Sequence, residues 1–266
     1  MYETTYHRPS SVDEAAAQFA KGSDSKYLAG GHTLLPVMKQ RLASPSDVID
    51  LGKIKDLIGI EPSGDGIAIK AATTHYDVAN SDTVKKAIPA LAYLASLIGD
   101  PAVRYRGTIG GSIANNDPAA DYPAAVLALS ATIKTNKRSI AADEFFKGLF
   151  TTALADGEII TAVSFPVQAK AGYSKFPNPA SRFALTGVFV AKTPAGDVRV
   201  AATGASQNGV MRVPAIEAAL KANWSAGALD SVTISTDGLL ADIHGSSAYR
   251  ANLIKVMAQR AVTAAG

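Results

Sequence analysis

Residues 108–123, TIGGSIANNDPAADYP, constrain the fold of this chain more than any other segment. The segment contains two glycines, two asparagines, two aspartates and two prolines, and it continues directly into the apolar run AAVLAL. Glycine permits the backbone conformations of a tight turn, and a proline in the first turn favours the start of a helix. The sequence therefore predicts a glycine turn with small polar side chains, followed at once by a new helix.

A second glycine pair lies 80 positions earlier, in LAGGHTLLPVMKQRL at 28–42. The pattern predicts a strand that runs into Gly30 and Gly31, and then a helix with Pro36 in its first turn. A strand that ends in glycines before a helix exposes unpaired backbone amides beside the positive end of the helix dipole. The segment is therefore a candidate anion site, to which Thr33 can add a hydroxyl group.

Together, the two glycine segments are typical of a diphosphate site in which each segment holds one phosphate. Four side chains after the second pair offer donors and acceptors suited to ribose or ribityl hydroxyls: Asn115, Asn116, Asp117 and Asp121. We therefore expect a bound dinucleotide. Asp121 also stands just before Pro123, where a helix cap is expected, so capping is an equally good interpretation of this residue.

Several classes of protein are disfavoured by simple features. The chain lacks the GxGxxG pattern of nicotinamide-binding domains and the GxxxxGK[ST] pattern of a P-loop. Its basic residues are scattered and the formal net charge is only +3, so we expect no nucleic-acid partner. Cysteine is absent, so a cysteine-ligated iron–sulfur cluster must lie on a partner chain. The four histidines lack the spacing of metal ligands, and we predict no metal site.

The hydropathy pattern predicts a cytoplasmic protein without a membrane span. The amino-terminal residues lack the basic and apolar regions of a signal peptide, and no stretch approaches the roughly 18 apolar residues of a membrane helix. Hydrophobic residues make up 47% of the chain and charged residues 18%, so we expect the whole chain to fold.

Outside the glycine segments, the pattern predicts alternating helices and strands. A capping box at Ser11 predicts a short first helix, PSGDG at 62–66 predicts a hairpin turn, and 78–99 is predicted to be helical. A second α+β unit begins near Tyr173, with two strands around TPAGD at 193–197. The helices predicted in this second unit are 213–222 and 246–265.

Five ordered blocks, spread over nearly the whole chain, resemble the FAD-binding medium subunit of molybdenum hydroxylases, the carbon monoxide dehydrogenase and xanthine dehydrogenase type. Two of the blocks contain the glycine pairs, and the other three lie further along the chain. The blocks are LAGGHTLLPVMKQRL at 28–42, GTIGGSIANNDPAADYPAAVLAL at 107–129, GEIITAVSFP at 157–166, YSKFPNPASRFALTGVFVA at 173–191 and DIHGSSAYRANLIKVMAQRAV at 242–262.

The resemblance implies an α+β fold. Its first part is a two-subdomain FAD-binding fold of the vanillyl-alcohol-oxidase/PCMH type, and a C-terminal α+β domain of the CO dehydrogenase flavoprotein type follows. We place the boundary in the Pro-, Gly- and Ser-rich stretch at 166–181. The expected FAD-binding domain is 1–170, with subdomains of about 1–55 and 56–170, and the expected C-terminal domain is 171–266.

The resemblance also implies which residues contact FAD. The first glycine segment wraps the diphosphate, the second holds it from the other side, Asp121 lies near the sugar, the backbone of Ile160 lies near the flavin ring, and Lys175 contacts the cofactor. We expect no catalytic acid or base, because the flavin carries the redox chemistry. The predicted cofactor-binding residues are Leu28, Ala29, Gly30, Gly31, His32, Thr33, Leu34, Leu35, Thr108, Ile109, Gly110, Gly111, Ser112, Asn115, Asp117, Asp121, Ile160 and Lys175.

The function that the resemblance implies is electron transfer within a larger complex. A large subunit carries the molybdenum cofactor, a small subunit carries 2Fe-2S clusters, and this chain passes electrons from those clusters through FAD to an external acceptor. A dimer of such heterotrimers is expected. Two alternatives of other classes stay open: a scaffold subunit that has lost FAD, and a free-standing flavin oxidase with its own small substrate.

Overall fold

The computed structural model describes residues 1–266. None of its helices combines the length and the apolar character that a membrane crossing requires. The strands are β1 (Thr5–His7), β2 (Ser25–Leu28), β3 (Asp47–Asp50), β4 (Ile60–Ser63), β5 (Gly66–Lys70), β6 (Thr132–Thr135), β7 (Ser139–Ala141), β8 (Phe146–Gly148), β9 (Thr151–Thr152), β10 (Ile160–Pro166), β11 (Lys170–Pro177), β12 (Ala184–Lys192), β13 (Val198–Ser206) and β14 (Gly209–Arg212). The helices are α1 (Val12–Phe19), α2 (Leu34–Lys39), α3 (His75–Asn80), α4 (Asp82–Ala87), α5 (Pro89–Ser96), α6 (Pro101–Arg104), α7 (Ile109–Asn115), α8 (Tyr122–Ala128), α9 (Ala142–Phe145), α10 (Pro214–Ala222) and α11 (Ser247–Ala265).

A small parallel sheet, ordered β1-β3-β2, forms the amino-terminal part of the fold. Helix α1 packs on it, and its predicted cap is confirmed, because Ser11 Oγ accepts the Glu14 N–H at 3.1 Å. The Glu14 carboxylate reaches back one residue further than a capping box requires and accepts the Ser10 N–H at 2.7 Å. Strand β2 then leads into the first glycine segment, as predicted.

A five-stranded antiparallel sheet, ordered β4-β5-β10-β6-β7, forms the centre of the fold. A tight turn between Ser63 and Gly66 joins β4 to β5, which confirms the predicted hairpin. Helices α4 and α7 pack against β5, and the apolar residues around them belong to the largest core of the chain. That core continues into Tyr173 and Phe189 of another sheet, so the two sheets are joined by shared packing.

The helical stretch predicted at 78–99 is broken into the short helices α3, α4 and α5. The Ser81 hydroxyl accepts the Val84 N–H at 3.3 Å and begins α4. Pro89 cannot extend the hydrogen bonds of α4, because it has no N–H, and it begins α5 instead. Apolar spacing alone therefore predicts the buried face but not these two breaks.

The second α+β unit is a four-stranded antiparallel sheet, ordered β11-β12-β13-β14. Helices α10 and α11 cover one face, and α5 and α8 cover the other. Strand β12 accordingly alternates between two cores: Val188 and Val190 pack with α10 and α11, whereas Phe189 and Ala191 pack in the core that contains α5 and α8. The predicted strands around TPAGD and both predicted helices are confirmed.

Part of the stretch at 166–181, which its composition predicts as a boundary, is strand β11 of this sheet. Its Gly172 lies against α11, where an added Cβ would be 2.0 Å from the Ala261 carbonyl oxygen. A glycine required for close packing cannot be distinguished from a turn glycine in the sequence. The domain limits 1–170 and 171–266 stay a prediction.

The second glycine pair lies in the first turn of α7 and not in the glycine turn that the sequence predicts. Thr108 is the N-cap of this helix, and its Oγ1 accepts the Gly111 N–H at 3.1 Å. The left-handed turn comes at the other end of the helix, where Asn116 has a φ of 45°. Gly110 lets the helix approach the end of β5, because an added Cβ would lie 2.6 Å from the Ala71 Cβ.

We expect Gly110→Ala to lower the free energy of unfolding by about 1–3 kcal/mol, because the new methyl group would clash with Ala71. Gly111→Ala is a matched control in the same helical turn, since its Cβ would meet only the Thr108 hydroxyl, at 3.0 Å, and the Ala29 methyl. Alanine is better than glycine in a helix by about 1 kcal/mol, so the control should retain wild-type stability or exceed it. Urea unfolding of both variants measures the difference, and equal stabilities would contradict the close approach.

Candidate functional site

A cavity of about 580 Å³ lies where the three-stranded sheet, the five-stranded sheet and α7 meet. This volume is within the range of about 300–1,000 Å³ that is typical of ligand and cofactor sites. Leu35, Ile109 and Lys175 do not line the cavity. The predicted site residues in its wall are Leu28, Ala29, Gly30, Gly31, His32, Thr33, Leu34, Thr108, Gly110, Gly111, Ser112, Asn115, Asp117, Asp121 and Ile160.

The first glycine segment is a loop that turns from β2 into α2. Gly31 has a φ of 77°, a conformation in which other residues are strained. Gly30 lies against the backbone of the chain that leads into α7, and an added Cβ would be 2.3 Å from Arg106 O and 2.7 Å from Gly107 Cα. The two glycine segments are therefore brought together by a backbone contact that a side chain at position 30 would prevent.

The backbone amides of the first segment are free to bind a ligand. The N–H groups of residues 30–33 donate no hydrogen bond to any backbone acceptor, and the Thr33 hydroxyl makes no capping bond to α2. His32 and Thr33 are also exposed. Neighbouring unpaired amides are the groups that bind phosphate oxygens in proteins, so this loop has the donors of an anion site.

The amides of the second segment are used within the protein. The Gly110 N–H donates to Ala71 O at 2.8 Å, and the Gly111 N–H donates to Thr108 Oγ1 at 3.1 Å. The expectation that both segments offer free amides is therefore wrong for the second one. This segment contributes bare glycine backbone and the side chains of Thr108 and Ser112 to the cavity wall.

The polar side chains that follow α7 divide between the cavity and the scaffold. Asn115 and Asp117 line the cavity, and Asp117 Oδ1 also accepts the Ala119 N–H at 2.8 Å. Asn116, which the sequence also offers as a ligand contact, is buried, and its Nδ2 donates to Gly148 O at 2.7 Å. Asn116 therefore holds the hairpin of β8 and β9 and not the ligand.

Asp121 is not the helix cap that its position before Pro123 suggests, because its side chain makes no capping bond. It is 3% exposed, and it accepts hydrogen bonds from the Tyr173 hydroxyl at 2.6 Å and from the Lys175 ammonium group at 3.2 Å. Burial raises the pKa of Asp121, and the positive charge of Lys175 opposes that shift. Lys175 Nζ also donates to Leu97 O at 2.8 Å, so Lys175 lies behind the wall and reaches the cavity through Asp121.

His75 lines the cavity, although no sequence motif predicts it as a site residue. It begins α3, its N–H donates to Gly107 O at 2.9 Å, and its side chain is buried with no hydrogen-bond partner at Nδ1. Burial lowers the pKa of His75 to about 3, so the ring is neutral at neutral pH. The preceding residue, Thr74, is the N-cap of α3, and its hydroxyl accepts the Asp77 N–H. This cap is the feature of the sequence that could have located the start of the helix.

Glu158 is a second cavity residue outside the predicted set. Its side chain is fully buried and accepts hydrogen bonds from Arg138 Nε and Nη2, both at 3.0 Å. The Thr135 hydroxyl at 2.7 Å and the Ala155 N–H at 2.8 Å complete its partners. The hydrogen bonds from Arg138 are the main cause that lowers the pKa of Glu158 to about 2. Glu158 is therefore a fixed charge that anchors the chain just before Ile160.

The buried His75 gives the fold a pH dependence with a definite sign. An unfolded histidine has a pKa of about 6.5, and His75 in the fold has a pKa of about 3, so the unfolded chain binds one more proton between these values. The stabilisation from the neutral ring is fully present above pH 6.5 and is lost as the pH falls. At pH 5 the loss is about 2 kcal/mol, at a limiting slope of about 1.4 kcal/mol per pH unit.

We expect His75→Gln to remove that loss, so that its unfolding free energy falls by about 2 kcal/mol less than wild type between pH 8 and pH 5. This window lies above the range in which Glu158 titrates. His244→Gln is the matched control, because His244 is exposed. Urea unfolding at several pH values measures the effect, and parallel profiles for wild type and His75→Gln would contradict a buried neutral ring.

Comparison with known proteins identifies the family of this chain. Residues 2–168 match the family model described as "FAD binding domain in molybdopterin dehydrogenase". The nicotine 6-hydroxylase medium subunit of Paenarthrobacter nicotinovorans is 36% identical, over 98% of this chain and 96% of that protein. The carbon monoxide dehydrogenase medium chain of Afipia carboxidovorans is 34% identical, over 97% of this chain and 94% of that protein.

A solved structure gives the same result at the level of the fold. Reconstituted CO dehydrogenase from Oligotropha carboxidovorans superimposes with a TM-score of 0.89 and 32% identity, covering 99% of this chain and 97% of that chain. The fold and the family implied by the five sequence blocks are confirmed. The chain therefore belongs to the family of FAD-binding domains of molybdopterin dehydrogenases, as a medium FAD-binding subunit of the molybdenum hydroxylase type.

Proposed function

We propose that this chain takes electrons from the 2Fe-2S clusters of a partner subunit onto FAD and passes them to an external acceptor. The observation that carries the proposal is the group of free amides at residues 30–33, which lies in a large cavity beside the second glycine segment. Bound FAD supplies the redox chemistry. The chain supplies binding, orientation and the electrostatic environment of the cofactor.

The residues of the cavity fit FAD. Free amides suit the diphosphate, the glycine backbone of the second segment lets the cofactor approach closely, and the carboxylates beyond α7 suit sugar and ribityl hydroxyls. Lys175 contributes through Asp121, to which it is paired. The proposed contacts are the residues 28–34, Thr108, the residues 110–112, Asn115, Asp117, Asp121 and the backbone of Ile160.

We extend the proposal to the partners and the organisation of the complex. A large subunit with the molybdenum cofactor and a small subunit with 2Fe-2S clusters complete a heterotrimer, which doubles into a dimer in the cytoplasm. The absence of cysteine from this chain supports the location of the clusters on a partner. The family match over residues 2–168 supports an FAD-binding domain of 1–170, followed by a separate domain of 171–266.

The test is to load the purified chain with FAD and to follow the visible absorbance of the flavin. We expect stoichiometric FAD, no bleaching by small substrates added to the chain alone, and bleaching when the reduced 2Fe-2S partner subunit is added. Bleaching by a small substrate without the partner would contradict the proposal and favour a free-standing oxidase. A folded chain that retains no FAD, alone or in the complex, would favour the scaffold.

The variant Gly111→Val is the control without cofactor in this test. The Cβ of a residue at position 111 would point towards the first segment, 3.6 Å from the Ala29 Cβ, so valine fills the space between the two segments. We expect this variant to keep its fold, to lose FAD and to be inert towards the reduced partner. Retention of FAD with wild-type affinity would contradict the placement of the cofactor between the segments.

A further inference from the structure

The residues 117–121, DPAAD, form a short segment of the cavity wall between α7 and α8, and both of its aspartates line the cavity. The segment makes few hydrogen bonds of its own. Asp117 accepts the Ala119 N–H at its carboxylate and the Ala120 N–H at its carbonyl, and Pro118 has no N–H to donate. The carbonyl groups of the segment and the carboxylate of Asp121 must therefore find donors elsewhere.

Strand β13 of the four-stranded sheet supplies donors to the carbonyl groups. Thr203 is fully buried, and its hydroxyl lies 2.9 Å from Pro118 O and 2.7 Å from Ala120 O. The next residue, Gly204, donates its N–H to Pro118 O at 2.8 Å. Two adjacent residues of one strand thus hold the middle of the DPAAD segment from behind the cavity wall.

Strand β11 of the same sheet supplies donors to the carboxylate. Tyr173 and Lys175 are two residues apart and face the same side of the sheet, and both bind Asp121. The Tyr173 hydroxyl is 2.6 Å from Asp121 Oδ1, and burial raises the pKa of Tyr173 well above its usual value, so the hydroxyl keeps its proton and donates. The orientation of this carboxylate is therefore set by the four-stranded sheet and not by the helix that Asp121 precedes.

A buried arginine fixes the end of the sheet that contacts the segment. Arg250 of α11 is 3% exposed, and its Nη1 donates to Leu185 O at 2.7 Å and to Gly204 O at 2.6 Å. Its Nη2 is paired with the Asp242 carboxylate at 2.8 Å. The Gly204 peptide units are thus bonded on both sides, to Pro118 by the N–H and to Arg250 by the carbonyl, which links the segment rigidly to the sheet.

From these contacts we infer that Tyr173 and Thr203 are positioning residues for the cofactor: they hold the DPAAD segment in the shape that presents the Asp117 and Asp121 carboxylates to bound FAD. The inference rests on the proposed function. Without the Tyr173 hydroxyl, the Asp121 carboxylate keeps only Lys175 as a side-chain donor and loses one of the two bonds that set its orientation. Without the Thr203 hydroxyl, two buried carbonyl groups lose their shared donor, and the segment must be ordered again when FAD binds.

The test uses Tyr173→Phe and Thr203→Val in the full chain, with FAD affinity measured by fluorescence titration. Each variant removes one hydroxyl group and keeps nearly the same volume. We expect the dissociation constant of FAD to rise about tenfold in each variant. This is the size of one lost hydrogen bond, to a carboxylate for Tyr173 and to buried carbonyl groups for Thr203. Thr203→Ser, which keeps the hydroxyl, should bind FAD like wild type.

Two matched controls separate positioning from general stability. Tyr122 is a buried tyrosine next to Asp121 whose hydroxyl has no hydrogen-bond partner, so Tyr122→Phe removes the same group without touching the segment. Thr186 is a buried threonine on the neighbouring strand whose hydroxyl bonds only to Leu185 O, so Thr186→Val controls for Thr203→Val. Both controls should bind FAD within twofold of wild type, whatever they do to the melting temperature.

A double-mutant cycle tests whether Tyr173 acts through Asp121. If it does, Tyr173→Phe changes FAD affinity in the wild-type background but not in the Asp121→Ala background, in which the Tyr173 hydroxyl has no acceptor at position 121. Equal effects in the two backgrounds, or wild-type affinity in both Tyr173→Phe and Thr203→Val, would overturn the inference and leave the proposed function intact. A wild-type chain that binds no FAD, alone or in the complex, would overturn both.

Discussion

The site depends on a backbone contact that only glycine allows. Gly30, near the start of the first glycine segment, touches the backbone at Arg106 and Gly107, and Gly110 in the first turn of α7 touches Ala71 in the same way. These contacts place a loop of the three-stranded sheet against a helix of the five-stranded sheet without side chains between them. The cavity forms at this junction, and its position follows from main-chain packing more than from any single polar interaction.

The two glycine segments have different tasks, although their sequences look alike. The first is a loop with a left-handed glycine, and it leaves its amides without backbone acceptors. The second is a capped helix whose amides are satisfied by Thr108 and by the chain near Ala71. A diphosphate between them would therefore be bound by the amides of one side and enclosed by the glycine surface of the other. The buried Asp121 then links this cavity to the four-stranded sheet through Tyr173 and Lys175.

The sequence predicts the parts of this fold that depend on local chemistry. The Ser11 cap, the hairpin before Gly66, the strand before Gly30 and the last two helices are all set by residues close in the chain, and they are confirmed. The two glycine segments together predict a common site because each could hold one phosphate of a dinucleotide. The five blocks add the family, which the comparisons confirm.

The predictions that fail depend on partners far away in the chain. The residues near α7 in the sequence reveal no acceptor for the Gly110 N–H. The carbonyl group that binds it belongs to Ala71, which is far away in the chain. The position of Asp121 before Pro123 suggests a helix cap. The donors that bind its carboxylate lie on β11, far away in the chain. In each case the local pattern is compatible with two structures, and only the tertiary contact decides between them.

Amide hydrogen exchange, measured residue by residue with and without FAD, shows directly which backbone amides bind the diphosphate. An amide without a backbone acceptor exchanges readily until a ligand binds it, whereas an amide that is already bonded changes little. We expect FAD to slow exchange at residues 30–33 and to leave exchange at Gly110 and Gly111 nearly unchanged. Protection confined to Gly110 and Gly111, or no protection at residues 30–33 when FAD is bound, would contradict a diphosphate site built on the first glycine segment.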